Sequence, residues 1–241
     1  MTYGLIGFPL GHSFSPGYFA AKFERLAIDA SYEAFPLETI DAFPGLLREK
    51  SPRGLNVTTP YKQAVIPFLD ALSEDSAAIG AVNCIDIRNG KLIGHNTDWS
   101  AFRDCLKPLL ASHHRQALVL GNGGASLAVR YALQQLQLPF KTVSATPGKA
   151  DFLYDELDAD TMHAHPVIIN TTVLGTLGDG IPKLPYNAIG RRHILFDLVY
   201  NPPLTPFLDE GRKRGAIIRN GHEMLCLQAE ASWEIWKAKE E

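Results

Sequence analysis

Ala117-Leu118-Val119-Leu120-Gly121-Asn122-Gly123-Gly124-Ala125-Ser126 runs from four apolar residues of strand character straight into a glycine-rich turn. Ala128, Val129, Tyr131, Ala132 and Leu133 follow at helical spacing, so the order is strand, glycine turn, helix. Glycines at such a turn let backbone N–H groups approach a pyrophosphate, which then lies on the positive end of the helix. A plain tight turn would use the same glycines; the flanking strand and helix favour a dinucleotide. Gly121, Asn122, Gly123, Gly124 and Ala125 are therefore candidate cofactor-binding residues.

Outward from this unit, short apolar runs alternate with helical segments. Tyr3 to Ile6, Tyr32 to Phe35, Leu55 to Val57, Thr142 to Ser144, Val167 to Asn170, Ile194 to Leu198 and Ala216 to Ile218 all read as strands. Alternation of this kind predicts an α/β protein with a parallel sheet covered on both faces. Val82 to Arg88, Asn89-Gly90 and Lys91 to Gly94 depart from it, as a hairpin placed at a sheet edge. Asp98 can then N-cap a helix through Trp99, Phe102, Leu106, Leu109 and Leu110, and a domain boundary falls near this helix. The last segment, from Met224 through Trp233 to Trp236, is amphipathic, and its tryptophans read as packing residues. If it folds back, residues 1–100 and 222–241 form one domain and 101–221 the other.

Composition excludes several classes. With 46% hydrophobic and 20% charged residues the chain is globular. A net charge of −3 gives no global attraction to nucleic acid or an anionic membrane, so any anion must be caught locally. Cys84, Cys105 and Cys226 are an odd count without a CxxC pair, which points to a reducing compartment rather than a disulfide framework. No apolar run approaches the roughly 18 residues of a membrane helix, and the N-terminus lacks a basic leader. The expectation is a cytoplasmic protein, a monomer or homodimer, with no nucleic-acid, membrane or metal partner. His163 and His165 with Asp160, and His113-His114, read as solvated loops.

Two further polar clusters stand at predicted strand ends, where open α/β sheets bind ligands. Gly54-Leu55-Asn56-Val57-Thr58-Thr59-Pro60-Tyr61-Lys62 reads Thr59 as N-cap and Pro60 as first helical residue, which puts Lys62 in the first turn. The helix dipole disfavours a cation there. Asp98 follows Gly94-His95-Asn96-Thr97, and with Lys62 it would make an acid/base pair, although taken alone it reads as a cap. Some 20 residues beyond the glycine turn, NAD enzymes carry an acid for the ribose and NADP enzymes an arginine. Here Ser144, Thr146 and Lys149 stand instead: two hydroxyls and an ammonium favour a phosphate, while Thr146 to Lys149 is also a plain Pro-Gly turn.

Taken together, these motifs resemble the shikimate dehydrogenase family along nearly the whole chain. The matches are Gly7-Phe8-Pro9-Leu10-Gly11-His12-Ser13-Phe14-Ser15-Pro16, the run from Asn56 to Lys62, Ile79-Gly80-Ala81-Val82-Asn83, Asn96-Thr97-Asp98, the glycine turn, Asp197-Leu198-Val199-Tyr200-Asn201-Pro202, and Asn220-Gly221-His222-Glu223-Met224-Leu225 leading to Gln228. The resemblance implies an α/β substrate domain followed by a Rossmann-like nucleotide-binding domain, with the last helix returning to the first. It implies reversible NADPH-dependent reduction of 3-dehydroshikimate to shikimate in aromatic amino-acid biosynthesis. On it, Lys62 and Asp98 are the catalytic pair, and Ser13, Ser15, Asn56, Thr58, Asn83, Tyr200 and Gln228 hold the substrate. Asn170, Thr171 and Thr172 match the family's loop near the nicotinamide, and Leu198, Gly221 and Met224 join the expected cofactor contacts.

Three departures from the family pattern stand out. Phe19-Ala20 replaces a His-Asn pair, Ala145 stands where an arginine would grip the 2′-phosphate, and Leu127 replaces a second arginine. The missing arginine keeps open an NAD-preferring quinate/shikimate dehydrogenase, and a rival from another class is a non-catalytic sensor that binds shikimate or NADP(H). The intact Lys62 and Asp98 count against the sensor.

Overall fold

The computed structural model describes residues 1–11 and 13–238. His12 of the first motif and residues 239–241 of the returning segment lie outside the described residues. The chain divides into two compact units, residues 1–97 with 229 onward, and residues 98–228.

The first unit runs β1 (Thr2–Gly7), α1 (Phe14–Arg25), β2 (Ser31–Pro36), α2 (Phe43–Lys50), β3 (Gly54–Val57), α3 (Tyr61–Ala64), β4 (Ala71–Leu72), α4 (Glu74–Ile79), β5 (Cys84–Arg88) and β6 (Lys91–His95). Its six described strands lie in the order β2-β1-β3-β5-β6-β4. β1 pairs in parallel with both β2 and β3, whereas β3–β5 and β5–β6 are antiparallel, so the sheet is mixed. Asn89 and Gly90 turn the hairpin with φ of 50° and 76°. Positive φ at both central residues is what a tight hairpin turn matching the strand twist requires. The hairpin is not the edge, however: β4 pairs in parallel with β6 and lies outside it. A two-residue strand carries no periodic signal, which is why the sequence does not reveal it.

Successive residues of β1 face opposite ways, and both faces are covered. Leu5 packs with Phe19, Phe23, Tyr32, Trp233 and Trp236, while Ile6 packs with Phe35, Phe43, Leu55 and Ile85. Both tryptophans are thus core residues. The Trp236 indole donates to the Ile85 carbonyl at 3.0 Å, and a Cβ on Gly54 would lie 2.4 Å from its Nε1. Gly54→Ala is expected to destabilise the fold by about 1–3 kcal/mol, because a rigid ring in a packed core cannot give way. The check is thermal unfolding followed by tryptophan fluorescence.

The second unit runs α5 (Asp98–Leu106), β7 (Ala117–Leu120), α6 (Gly124–Gln135), β8 (Phe140–Ser144), β9 (Phe152–Leu153), α7 (Ala159–Ala164), β10 (Val167–Asn170), β11 (Ile194–Asp197), α8 (Pro206–Lys213), β12 (Ile217–Arg219) and the start of α9 (His222–Lys237). Its described strands form an all-parallel sheet in the order β12-β11-β10-β7-β8-β9. The order reverses between β7 and β10, which is where open α/β sheets leave a ligand crevice beyond the strand ends. β7 and β10 are buried along their whole length, as interior parallel strands are.

The expected domain limits lie at residues 100/101 and 221/222. The units part instead at Thr97/Asp98 and within α9, at Gln228/Ala229. Met224 is buried with Phe102, Leu106 and Phe196, while Ala229, Trp233 and Trp236 belong to the core of the first unit. The histidines expected in solvated loops need correction too. Residues 159–164 form α7, capped by Asp158, and His165 is buried with its Nδ1 2.8 Å from the Thr161 carbonyl. His114 is buried and accepts from the Ala111 amide at 2.8 Å. Among the described residues no helix is long and apolar enough to cross a membrane.

Candidate active site

In the first unit the sequence-predicted residues cluster at the carboxyl end of β3. Asn56, the third residue of that strand, is buried, and its neighbours show why it is tolerated there. The Tyr32 hydroxyl donates to Asn56 Oδ1 at 2.8 Å, and Asn56 Nδ2 donates to the Asn83 carbonyl at 3.1 Å and to Ser232 Oγ at 2.9 Å. Asn83 is buried beside it: its Nδ2 donates to Thr97 Oγ1 at 2.9 Å, and its Oδ1 accepts from the Thr97 amide at 2.7 Å. Burial pushes the Tyr32 phenol well above its ordinary pKa, and the Ser15 side chain within hydrogen-bond reach opposes that shift. Ser15 is buried in the first turn of α1. Ser13 precedes α1 and donates its hydroxyl to the Leu10 carbonyl at 3.2 Å, a turn contact rather than a cap.

Beyond β3, the Thr58 amide donates to the Ile6 carbonyl at 2.9 Å, and Thr58 Cγ2 lies where a Cβ on Gly7 would need to be. The helix that follows differs from expectation. Pro60, at φ −95° and ψ 11°, precedes α3 instead of opening it. α3 has four residues, so Lys62 lies in its last turn as well as its first, and the expected dipole conflict loses its force. The Val82 amide donates to the Lys62 carbonyl at 2.7 Å, tying the lysine's backbone to the Ala81-Val82-Asn83 segment.

In the second unit Asp98 is the first residue of α5 and is buried. The glycine turn joins β7 to α6 at the order reversal. Gly121 has φ +102°, and a Cβ there would sit 2.8 Å from Thr171 Oγ1, so this position needs glycine. Ser126 Oγ donates to the Gly121 carbonyl at 2.9 Å and holds the turn shut, whereas nothing lies within 4 Å of a Cβ on Gly123. An open approach to the N-terminus of a 12-residue helix fits a pyrophosphate. Gly123 is the N-cap, Gly124 and Ala125 are in the first turn, and Asn122 is exposed.

At the end of β8, Ser144 is buried and its Oγ accepts from the Thr146 amide at 3.0 Å, while Thr146 and Lys149 are exposed. The loop after β10 uses its polar atoms internally. Thr171 Oγ1 donates to the Leu120 carbonyl at 2.7 Å, and Thr172 Oγ1 donates to Asn170 Oδ1 at 2.7 Å. Asn170 Nδ2 donates to the Leu174 carbonyl and to Asp197 Oδ1, at 3.1 and 2.9 Å. Asn170, Thr171 and Thr172 thereby fix the loop, and Val173 at its tip is 78% exposed.

Asp197, which holds Asn170 in turn, stands out in the sequence only as part of a motif. Its side chain is wholly buried and also accepts from the Val199 amide at 3.0 Å and the Thr205 hydroxyl at 2.6 Å. Burial pushes its carboxyl up to about 6 against the three donors that hold the charged form. Tyr200 is half-buried, and burial raises its phenol. Gly221 accepts the close approach of Leu198, whose carbonyl oxygen lies 2.1 Å from where a Cβ would be. Met224 packs in the core, and Gln228 is buried with its Nε2 donating to the Leu225 carbonyl at 2.9 Å. Tyr32, Ser232 and Thr205 give no sign in the sequence of the polar roles they take up, because nothing in a local pattern links them to their partners.

Residues 5–85 match the family described as shikimate dehydrogenase substrate binding domain. A shikimate dehydrogenase (NADP(+)) of Staphylococcus epidermidis is 34% identical, with 98% of this chain and 92% of that protein covered. The crystal structure of the Thermus thermophilus enzyme in complex with NADP(H) and shikimate is similar with a TM-score of 0.88, at 32% identity over 98% of this chain and 93% of that one. A Listeria monocytogenes shikimate 5-dehydrogenase in complex with shikimate and NAD is similar with a TM-score of 0.82, at 26% identity over 99% of this chain and 92% of that one. Similarity of this extent, running through both units, means that the chain belongs to the shikimate dehydrogenase family.

Proposed function

We propose that this protein catalyses the reversible NADPH-dependent reduction of 3-dehydroshikimate to shikimate, a step of aromatic amino-acid biosynthesis. The observation that carries the reading is the gathering of Asn56, Thr58, Asn83 and the Lys62 backbone at one strand end, in a chain similar over its full length to enzymes of that name. Ser13, Ser15, Thr58 and Asn83 supply donors and acceptors for a carboxylate and ring hydroxyls. Tyr200 and Gln228 complete the substrate set.

The dinucleotide, when bound, supplies or accepts the hydride. Lys62 donates a hydrogen bond to the carbonyl oxygen of 3-dehydroshikimate and stabilises the negative charge that develops there. Asp98 is the carboxylate of the pair, and the two together carry the hydroxyl proton. Gly121 to Ala125 and the start of α6 receive the pyrophosphate. Asn170, Thr171, Thr172, Leu198, Gly221 and Met224 build the walls of the nicotinamide site. Cys84, Cys105 and Cys226 are not joined in disulfides among the described residues, which suits a cytoplasmic enzyme.

Ser144, Thr146 and Lys149 take the 2′-phosphate in place of the arginine that Ala145 replaces. Lys149→Ala is expected to raise the KM for NADP+ about fivefold and to leave that for NAD+ unchanged, since a solvated ammonium–phosphate contact contributes about 1 kcal/mol. Initial rates with shikimate and each cofactor test both statements. Strong turnover with NADP+ supports the assignment, turnover mainly with NAD+ moves the cofactor, and silence with both refutes the activity.

A further inference from the structure

Asn56 is placed by resemblance among the residues that touch substrate, yet both N–H donors of its side chain are taken within the protein. An asparagine amide has two N–H donors and one carbonyl oxygen. Both hydrogens of Asn56 go to the Asn83 carbonyl and Ser232 Oγ, and its oxygen accepts from Tyr32. The same chain of bonds continues: Ser232 Oγ lies 3.3 Å from Thr97 Oγ1, which in turn accepts from Asn83 Nδ2. All five side chains are buried, Ser232 completely. They come from β2, β3, the segment before β5, the segment before α5, and α9.

We infer that Tyr32 and Ser232 are positioning residues for the shikimate site, acting through Asn56 to hold Asn83 and Thr97 in one orientation. The inference rests on the function proposed above. Three physical points support it. The Thr97 amide can only donate, so Asn83 must turn its oxygen toward Thr97 and its nitrogen toward the Thr97 hydroxyl. The Asn83 backbone is held from the other side by Asn56 Nδ2, and by the Val57 amide at 2.9 Å. Buried networks of this kind define a single arrangement only when every member is satisfied, and removal of one oxygen leaves a donor or acceptor stranded. Thr97 immediately precedes Asp98 in the chain, so the network also fixes the residue before the proposed catalytic carboxylate. Asn56 is accordingly a positioning residue, and Asn83 is the neighbour whose orientation it fixes.

The test uses the full chain with Tyr32→Phe, Ser232→Ala and the double variant. Tyr32→Phe removes one oxygen and keeps the ring that stacks on Phe19 at 4.5 Å, so this variant retains the packing of the fold. Each single variant is expected to raise the KM for shikimate about tenfold, the effect of one stranded hydrogen-bonding group, and to leave the KM for NADP+ unchanged. Because both act through Asn56, the double variant is expected to lose less than the product of the two single losses. A KM for shikimate equal to that of the unaltered chain, or an equal rise in both KM values, overturns the inference, as does strict multiplicativity. Shikimate turnover by the unaltered chain is measured first: silence there overturns the proposed function together with this inference, whereas turnover with unaffected variants overturns this inference alone.

Discussion

Lys62→Ala is expected to lower kcat for shikimate oxidation by about 10²- to 10⁴-fold, the range that one positioned proton-transfer group contributes. The KM for shikimate should change far less, because the substrate contacts proposed for Ser13, Ser15, Thr58, Asn83 and Gln228 are left intact. A group that acts mainly in the transition state shows itself in kcat, and one that binds ground and transition states alike shows itself in KM. The Lys62 segment is tied to Val82 through the backbone carbonyl, which alanine retains. Steady-state kinetics at saturating cofactor provide the check, and near-normal kcat in this variant would remove Lys62 from the chemistry.

Asp197→Ala is expected to cost about 3–5 kcal/mol, because it strands the Thr205 hydroxyl, the Val199 amide and the Asn170 amide in a dry interior. In a chain of this length the melting temperature should fall by about 10 °C. The loop after β10 should loosen with it, since Asn170 is its anchor.

The carboxyl also makes a pH prediction with an unusual sign. A carboxyl at about 6 in the folded protein, above its value of 3.8, holds its proton more tightly when folded. Its contribution is therefore most favourable below about pH 4 and declines as pH rises through 6. Asp197→Asn keeps an oxygen for Asn170 and Val199 and cannot ionise. Its stability relative to the unaltered chain should improve as pH rises from about 4 to about 7, by on the order of 2–3 kcal/mol. Denaturant unfolding of both proteins across that range gives the difference directly. Other carboxylates shift the opposite way, Asp151 being held down to about 2 by Lys141 and Thr142, and they cancel in the comparison. A constant difference across the range would show that Asp197 titrates normally.

The glycine turn, the hairpin and the strands were legible because each depends on residues adjacent in sequence. Gly121 needs positive φ and lacks room for a Cβ, and Asn89-Gly90 supplies two positive φ values; such requirements restrict the residue type at the position itself. β1, β7, β10 and β11 declare themselves as short apolar runs, since interior strands are buried on both faces. Lys62 and Asp98 were identifiable as polar residues at strand ends, and the family resemblance joined them. β4, which carries no pattern, and the true start of α3, where Pro60 lies outside the helix, were not legible.

Local runs and motifs thus carry the α/β class, the nucleotide-binding unit, the family and a set of residues suited to the chemistry. What those residues do with their polar atoms depends on long-range packing. Asn56 and Asn170 stand at strand ends, as ligand-binding residues would, yet their amides are engaged by Tyr32, Ser232 and Asp197, which lie from 24 to 176 residues away in the chain. The reason is physical: a buried amide must satisfy its donors and acceptor with whatever the fold brings near, and local sequence does not specify those neighbours.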